Sequence, residues 1–235
     1  MSISSFGDIS SIIEHWRADD VTTTGSVIET MVGQEGAFDF DNPNTYASNP
    51  ILVSDVTPIG FPGVSMSISS RAQMNAITGL SLSTWSYVTV IRQDLVDAAD
   101  RRFILWEDGV ELIANTGSYR WLYAYGESVD GPTLATNDLI TIINTKNGST
   151  NESNIYWEGA VSGSNTGTPE VSIDATDISI GTFSRSQATI IAMEFFNDVL
   201  SSSERSDIFD YVDAEFINGA TAGPTQNSIF FGMNF

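Results

Sequence analysis

Residues 188–216, ATIIAMEFFNDVLSSSERSDIFDYVDAEF, carry the clearest hydrophobic pattern in the chain. Ile190, Ile191, Met193, Phe195 and Phe196 form a short apolar run in which Glu194 is the polar exception, and that density predicts a strand covered on both faces. Asn197 and Asp198 are turn formers. Ser201 stands three residues before Glu204, the spacing of a capping box, and Ile208, Val212 and Phe216 then recur every four residues along one helical face. Asn218-Gly219 is a stop signal.

Elsewhere the period is mostly two. Val27, Ile28, Met31 and Val32 are strand material, and residues 38–50 read as a loop. In residues 62–74, Val64, Met66 and Ile68 alternate with Ser65, Ser67 and Ser69, the pattern of a strand with one wet face. Residues 82–92 place Trp85, Tyr87, Thr89 and Ile91 on one side and Ser86, Val88 and Val90 on the other, which predicts a central strand followed by a turn at 97–102. Glu107-Asp108-Gly109 between the apolar runs 103–106 and 110–114 predicts a hairpin, and so does Lys146-Asn147-Gly148 after the run 139–144. Residues 119–125, 155–161 and 178–183 supply further strands. A short amphipathic piece near the start, with Ile9, Ile12, Ile13 and Trp16 at helical spacing after Asp8, predicts an N-terminal helical segment capped by that aspartate.

About ten to twelve short strands with turns between them and one late helix make the rhythm of an all-β, antiparallel sandwich. The expected organisation is one domain over residues 1–218, followed by a linker and apolar tail over 219–235. In that tail Ile229, Phe230, Phe231, Met233 and Phe235 are too apolar to hang in water, so the tail is expected to add a strand to its own sandwich or to dock on a neighbouring chain.

Three pieces resemble the laminin-G-like domains of the concanavalin A-like lectin and glucanase superfamily. Residues 192–205, AMEFFNDVLSSSER, are similar to that family's closing strand and helix start, "I-x-E-x-x-x-Y/F-x-x-x-L-S" leading into "E-R". Residues 16–20, WRADD, look like its "W-x-A-D" opening, and residues 154–161, NIYWEGAV, resemble its strand with "Y-x-N-G". The family strand "P-A-V-R-F-D-G" is replaced here by serines and isoleucine. The likeness reaches roughly from residue 12 to residue 217 and implies a concanavalin A-like jelly roll.

Composition narrows the partners. Thirty acidic residues against nine basic ones give a net charge of −21, a field that repels nucleic acid and anionic headgroups. With no cysteine and His15 as the single histidine, thiolate chemistry and zinc are effectively excluded. No stretch approaches the roughly 20 apolar residues that span a bilayer. The start lacks the basic region of a signal peptide. Since domains of the resembled kind work outside cells and are carried by tailed phages, the resemblance implies a virion surface protein, a head decoration or tail-fibre component. Other virion proteins, homo-oligomer neighbours and host surface glycans are its expected partners.

Glycoside hydrolysis needs two facing carboxylates. The "E-x-D-x-x-E" strand of family 16 glucanases is missing, and Glu107, Asp108 and Glu111 surround a turn glycine, so the expectation is a non-enzymatic protein. Sugar binding needs exposed aromatic rings beside polar acceptors. Trp121, Tyr123 and Tyr125 alternate, and Tyr156 and Trp157 lie beside Asn154 and Glu158, so these five are the candidate carbohydrate-binding residues. Calcium would need clustered oxygen ligands, for which Asp39 and Asp41 in one loop and Asp19-Asp20 at the family opening are the candidates. Ile229, Phe230, Phe231 and Phe235 are the candidate partner-docking residues. The competing reading is a purely structural capsid or tail protein.

Overall fold

In a computed structural model of the chain, residues 3–43, 49–66, 72–94, 101–106, 111–115, 118–122, 128–133, 135–157, 160–165, 173–181 and 188–219 are described. A single 3-10 turn, Phe6–Asp8, leads into β1 (Ile12–Thr24), β2 (Val27–Gly33), β3 (Phe40–Asp41), β4 (Ile51–Val53), β5 (Gly63–Ser65), β6 (Met74–Leu82) and β7 (Trp85–Gln93). Next come β8 (Arg101–Trp106), β9 (Glu111–Asn115), β10 (Ser118–Leu122), β11 (Ser128–Thr133), β12 (Leu139–Asn147), β13 (Glu152–Trp157) and β14 (Ala160–Asn165). The chain continues through β15 (Ile173–Ile180) and β16 (Ala188–Phe196) into the helix α1 (Ser202–Val212), which ends in a π-helical turn, Asp213–Ile217.

All strand pairs among the described residues are antiparallel and belong to one hydrogen-bonded network. The sheet curls: β11, at one end of the strand order, comes back against β13 and β14 at the other. The protein is therefore all-β and barrel-like, with one C-terminal helix. At its centre β16 pairs with β7 along one edge and shares its other edge between β1 and β5. Every one of its nine residues is buried, as a strand covered on both faces requires.

Two apolar cores flank this centre. Trp16, Met31, Phe40, Trp85, Tyr87 and Phe195 fill the first, enclosed by the curl of the sheet. Val88, Val90, Ile191 and Phe196 face the second, where Ile208, Val212 and Phe216 of the C-terminal helical segment pack against them. Burial of such side chains stabilises by about 1.5–3 kcal/mol each, enough to fix the helix on the sheet. The alternation expected for residues 82–92 is thus realised, with Trp85, Tyr87 and Ile91 in one core and Val88 and Val90 in the other.

Four expectations need correction. Residues 12–16 are strand, not helix, and Asp8 is no N-cap of a following helix: it closes a capping box on the 3-10 turn, its carboxylate accepting from the Ser4 and Ser5 amides. The helical spacing arose because a register shift between Ile12 and Glu14 breaks the alternation, so that Ile13 and Trp16 both pack on the first core. Ser65, expected on a wet face, is buried, since β5 lies between β4 and β16. The expected loop 38–50 contains β3, and the run 155–161 is divided between β13 and β14. The hairpin partners β8 and β9 pair as expected, although their turn lies outside the described residues.

Candidate functional site

The helix end and the edge of the β12–β13 ladder enclose a cleft of about 390 Å³, lined by Leu139, Ile140, Thr141, Trp157, Phe209, Asp210, Asp213 and Ile217. Its floor is set by local chemistry. The Asp138 carboxylate accepts from the Ala135 amide, Asn137 takes a left-handed φ of 69°, and its amide bonds the Gln93 carbonyl, which starts β12 beside β7. Trp157 is held at the end of β13 opposite Ile142. It is half-buried, its body packed on the first core.

The wall is α1. The predicted capping box is present: the Ser201 amide donates to Glu204 Oε2 at 2.7 Å, and the Glu204 amide donates to Ser201 Oγ at 3.3 Å. Arg205 Nη1 donates to the Leu200 carbonyl, and its guanidinium sits 3.8 Å from the centre of the Tyr156 ring. These contacts set the helix so that Phe209 and Asp210 turn toward the cleft. The last turn of α1 contains no basic residue, and the turn that follows opens with Asp213 and Glu215. Carboxylates there face the negative end of the helix dipole, which costs about 0.3–1 kcal/mol each. Asp210 and Asp213 are exposed, and Asp213 Oδ1 accepts from Asn218 Nδ2.

A second cleft of about 390 Å³ opens at the junction of the 3-10 turn, β1 and α1, lined by Ser5, His15, Arg17, Asp19, Asp20, Gln34 and Tyr211. Arg17 dominates it. Its Nε and Nη2 donate to Asp19 at 3.0 Å each, Nη2 also donates to Glu215 at 3.0 Å, and the guanidinium lies over Phe61 and Phe216 at 5.4 and 5.2 Å. Burial alone would lower its pKa, but the Asp19 and Glu215 carboxylates more than offset this and keep it charged. Burial holds His15 below the usual imidazole range despite Glu35 Oε1 at 3.4 Å from its Nδ1, so the ring is neutral at pH 7. Across the ladder from His15 stands Glu194, fully buried, with neither carboxylate oxygen hydrogen-bonded. Its pKa is pushed well above the carboxylate range by burial, and the Arg17 charge only partly restores it.

Of the residues predicted to bind sugar, Trp157 lines the first cleft. Tyr156 is buried beneath Arg205 on the opposite side of β13. Trp121 lies in β10, its backbone paired with Leu112 and Val129, while Tyr123 and Tyr125 lie outside the described residues. The calcium candidates are dispersed into structural bonds: Asp19 to Arg17, Asp20 to Gln34, Asp39 to the Gly33 amide at 2.8 Å, and Asp41 to Thr30 Oγ1 at 2.9 Å. No group of three or more acidic or histidine side chains able to hold a metal occurs among the described residues. Ile229, Phe230, Phe231 and Phe235 lie outside them. Thr141, Phe209, Asp210 and Asp213 were not singled out in the sequence, although acids against the dipole at a helix end are a readable signal.

No protein-family model matches the chain, and no curated protein does. Solved structures do. The sialidase of Trypanosoma rangeli in complex with sialic acid is similar with a TM-score of 0.57 at 13% identity, over 89% of this chain and 34% of that one. The receptor-binding domain of botulinum neurotoxin type G is similar with a TM-score of 0.59 at 12% identity, over 85% of this chain and 51% of that one. The serotype D binding domain gives 0.58 at 14% identity over the same shares. The chain spans about a third of the sialidase and about half of the toxin chains. At these identities the likeness is one of β-rich fold alone.

Proposed function

We propose that this chain is a lectin-like domain, folded as a concanavalin A-like jelly-roll sandwich, that binds glycans without cleaving them in the cleft between Trp157 and the end of α1. The observation that carries the reading is the composition of that cleft. Trp157, half-buried at a strand end, would give apolar contact to the C–H side of a pyranose, while Thr141, Asp210 and Asp213 would supply polar partners for hydroxyls around it. The neighbouring folds in a sialidase and in toxin receptor-binding domains lend it general support. Binding rather than hydrolysis is favoured because Asp210 and Asp213 are exposed and share one helical segment, whereas glycosidases set their two carboxylates facing each other across the bond.

On this reading the domain is displayed on a phage particle, as the resemblance implies, and it meets other virion proteins and host glycans. Glycan-array binding by the full chain should fall at least about tenfold in Trp157→Ala, the order expected for loss of a stacking aromatic ring. Array binding that Trp157→Ala leaves intact would remove the cleft from consideration. Mass spectrometry of purified virions tests the location, and a chain missing from intact particles refutes it.

A further inference from the structure

An asparagine followed by glycine is open to attack on its own side chain, because glycine has no Cβ to keep the next amide nitrogen away from the side-chain carbonyl carbon. The chain contains two such pairs, Asn147-Gly148 and Asn218-Gly219, and the fold treats them differently. Asn147 ends β12 with its backbone paired to Glu152. Its Oδ1 accepts from the Ser149 and Thr150 amides at 3.0 and 3.3 Å, and the Gly148 amide donates to Thr84 Oγ1 at 3.2 Å. Gly148 is seated so tightly that a Cβ there would meet the Ser83 carbonyl oxygen at 2.7 Å. Electrophile and nucleophile are both held in place. Asn218, by contrast, is exposed beyond the π-helical turn. Its amide donates to the Asp213 carbonyl and its Nδ2 to Asp213 Oδ1, but the Gly219 amide, the group that must attack, has no hydrogen bond with any described residue. Gly219 has a φ of 77°, which glycine adopts freely. No ladder bond therefore opposes the rotation about the Asn218 Cα–C bond, from its ψ of −8°, that brings this nitrogen onto the side-chain carbon.

We propose that Asn218 is a spontaneous modification site, deamidating in the folded protein while Asn147 is protected. The Gly219 nitrogen bonds to Asn218 Cγ, and the side-chain nitrogen leaves as ammonia, taking the Gly219 amide proton with it. Water then opens the cyclic imide at either carbonyl, leaving aspartate or isoaspartate. The product replaces a donor to Asp213 by a second carboxylate, at the negative end of the helix dipole. An isoaspartate also adds a carbon to the main chain. Either change loosens the π-helical turn whose Glu215 holds Arg17.

The test is incubation of the full chain at mildly alkaline pH, native and in urea, with peptide mapping of the gain of about 1 Da at each asparagine. In the native protein Asn218 should convert at least about tenfold faster than Asn147, which reacts only after its hydrogen-bonded turn has opened. In urea the two rates should converge, since neither turn then exists. Native Asn147 converting as fast as Asn218 overturns the proposal. So does native Asn218 converting at least about tenfold more slowly than in urea, because the helix end would then be protecting it. The variant Asn218→Asp, which reproduces one product directly, should lower the melting temperature by about 1–4 °C. A melting temperature equal to that of the parent overturns the loosening of the turn.

Discussion

Two clefts of equal size flank the C-terminal helix, yet they differ in what their polar groups have left to do. In the Arg17 cleft the guanidinium is committed to Asp19, Glu215 and two aromatic rings, Asp20 is engaged by Gln34, and His15 is neutral beside Glu35. In the Trp157 cleft the tryptophan is pinned and half-buried, and the Asp210 carboxylate has no hydrogen bond or ion pair among the described residues. Volume does not separate them. Commitment does: the first ties β1 to the helix, and the second has spare valence for a ligand. Arg17 bonded to Glu215 bridges a strand near the start of the chain and the turn after the helix, an assignment to stability rather than recognition.

That contrast is breakable. Arg17→Met should cost about 2 kcal/mol in urea unfolding, because two carboxylates lose a charge-assisted partner and the aromatic stack loses its cation. A cost under about 0.5 kcal/mol would mean that the Arg17 cleft is not the structural one.

Glu194→Gln should stabilise the protein by on the order of 1 kcal/mol at pH 7 and by nothing at pH 4. The folded-state pKa of Glu194 is raised, so below the ordinary value of 4.5 both states hold the proton. As pH climbs past 4.5 the unfolded chain releases it first and the native state loses ground. Glutamine removes that slope. Urea midpoints of the two proteins that stay parallel from pH 4 to pH 8 would contradict the protonated, buried state.

The smallest effect belongs to the other cleft. Asp210→Asn should change stability by no more than a few tenths of a kcal/mol, on the stabilising side, since it removes a carboxylate from the negative end of the dipole. A thermal melt showing a clear loss would mean that Asp210 has a structural role and is not held ready for ligand.

The parts of this architecture that follow local rules were legible in the chain. The capping box at Ser201 and Glu204, the doubly covered strand at 188–196 and the two-sided strand at 85–93 all depend on neighbours within a few residues or on a simple period. What escaped depends on distant partners. Glu14 reads as a polar strand residue, yet its carboxylate is fully buried and collects the amides of Glu35 and Ala37 at 2.6 and 2.7 Å, an arrangement that exists only once the chain has turned back. The bulge that made residues 9–16 imitate a helix is likewise a property of pairing with β16. At the candidate site, Trp157 was visible as an aromatic residue near acceptors. Its companions Phe209 and Asp210 were read only as a helix, because which flank of a helix meets a sheet edge is decided by the fold.

The position of β16 in chain order has one more implication. Its partners β1 and β7 emerge from the ribosome long before it does, so the middle of the sheet can close only after β16 has been made. Until then β1 and β7 each present a vacant edge, the surface on which partly made chains stick to one another. Formation of the sheet centre must therefore wait for β16 and be slow, as expected when the decisive pairings join segments far apart in the chain.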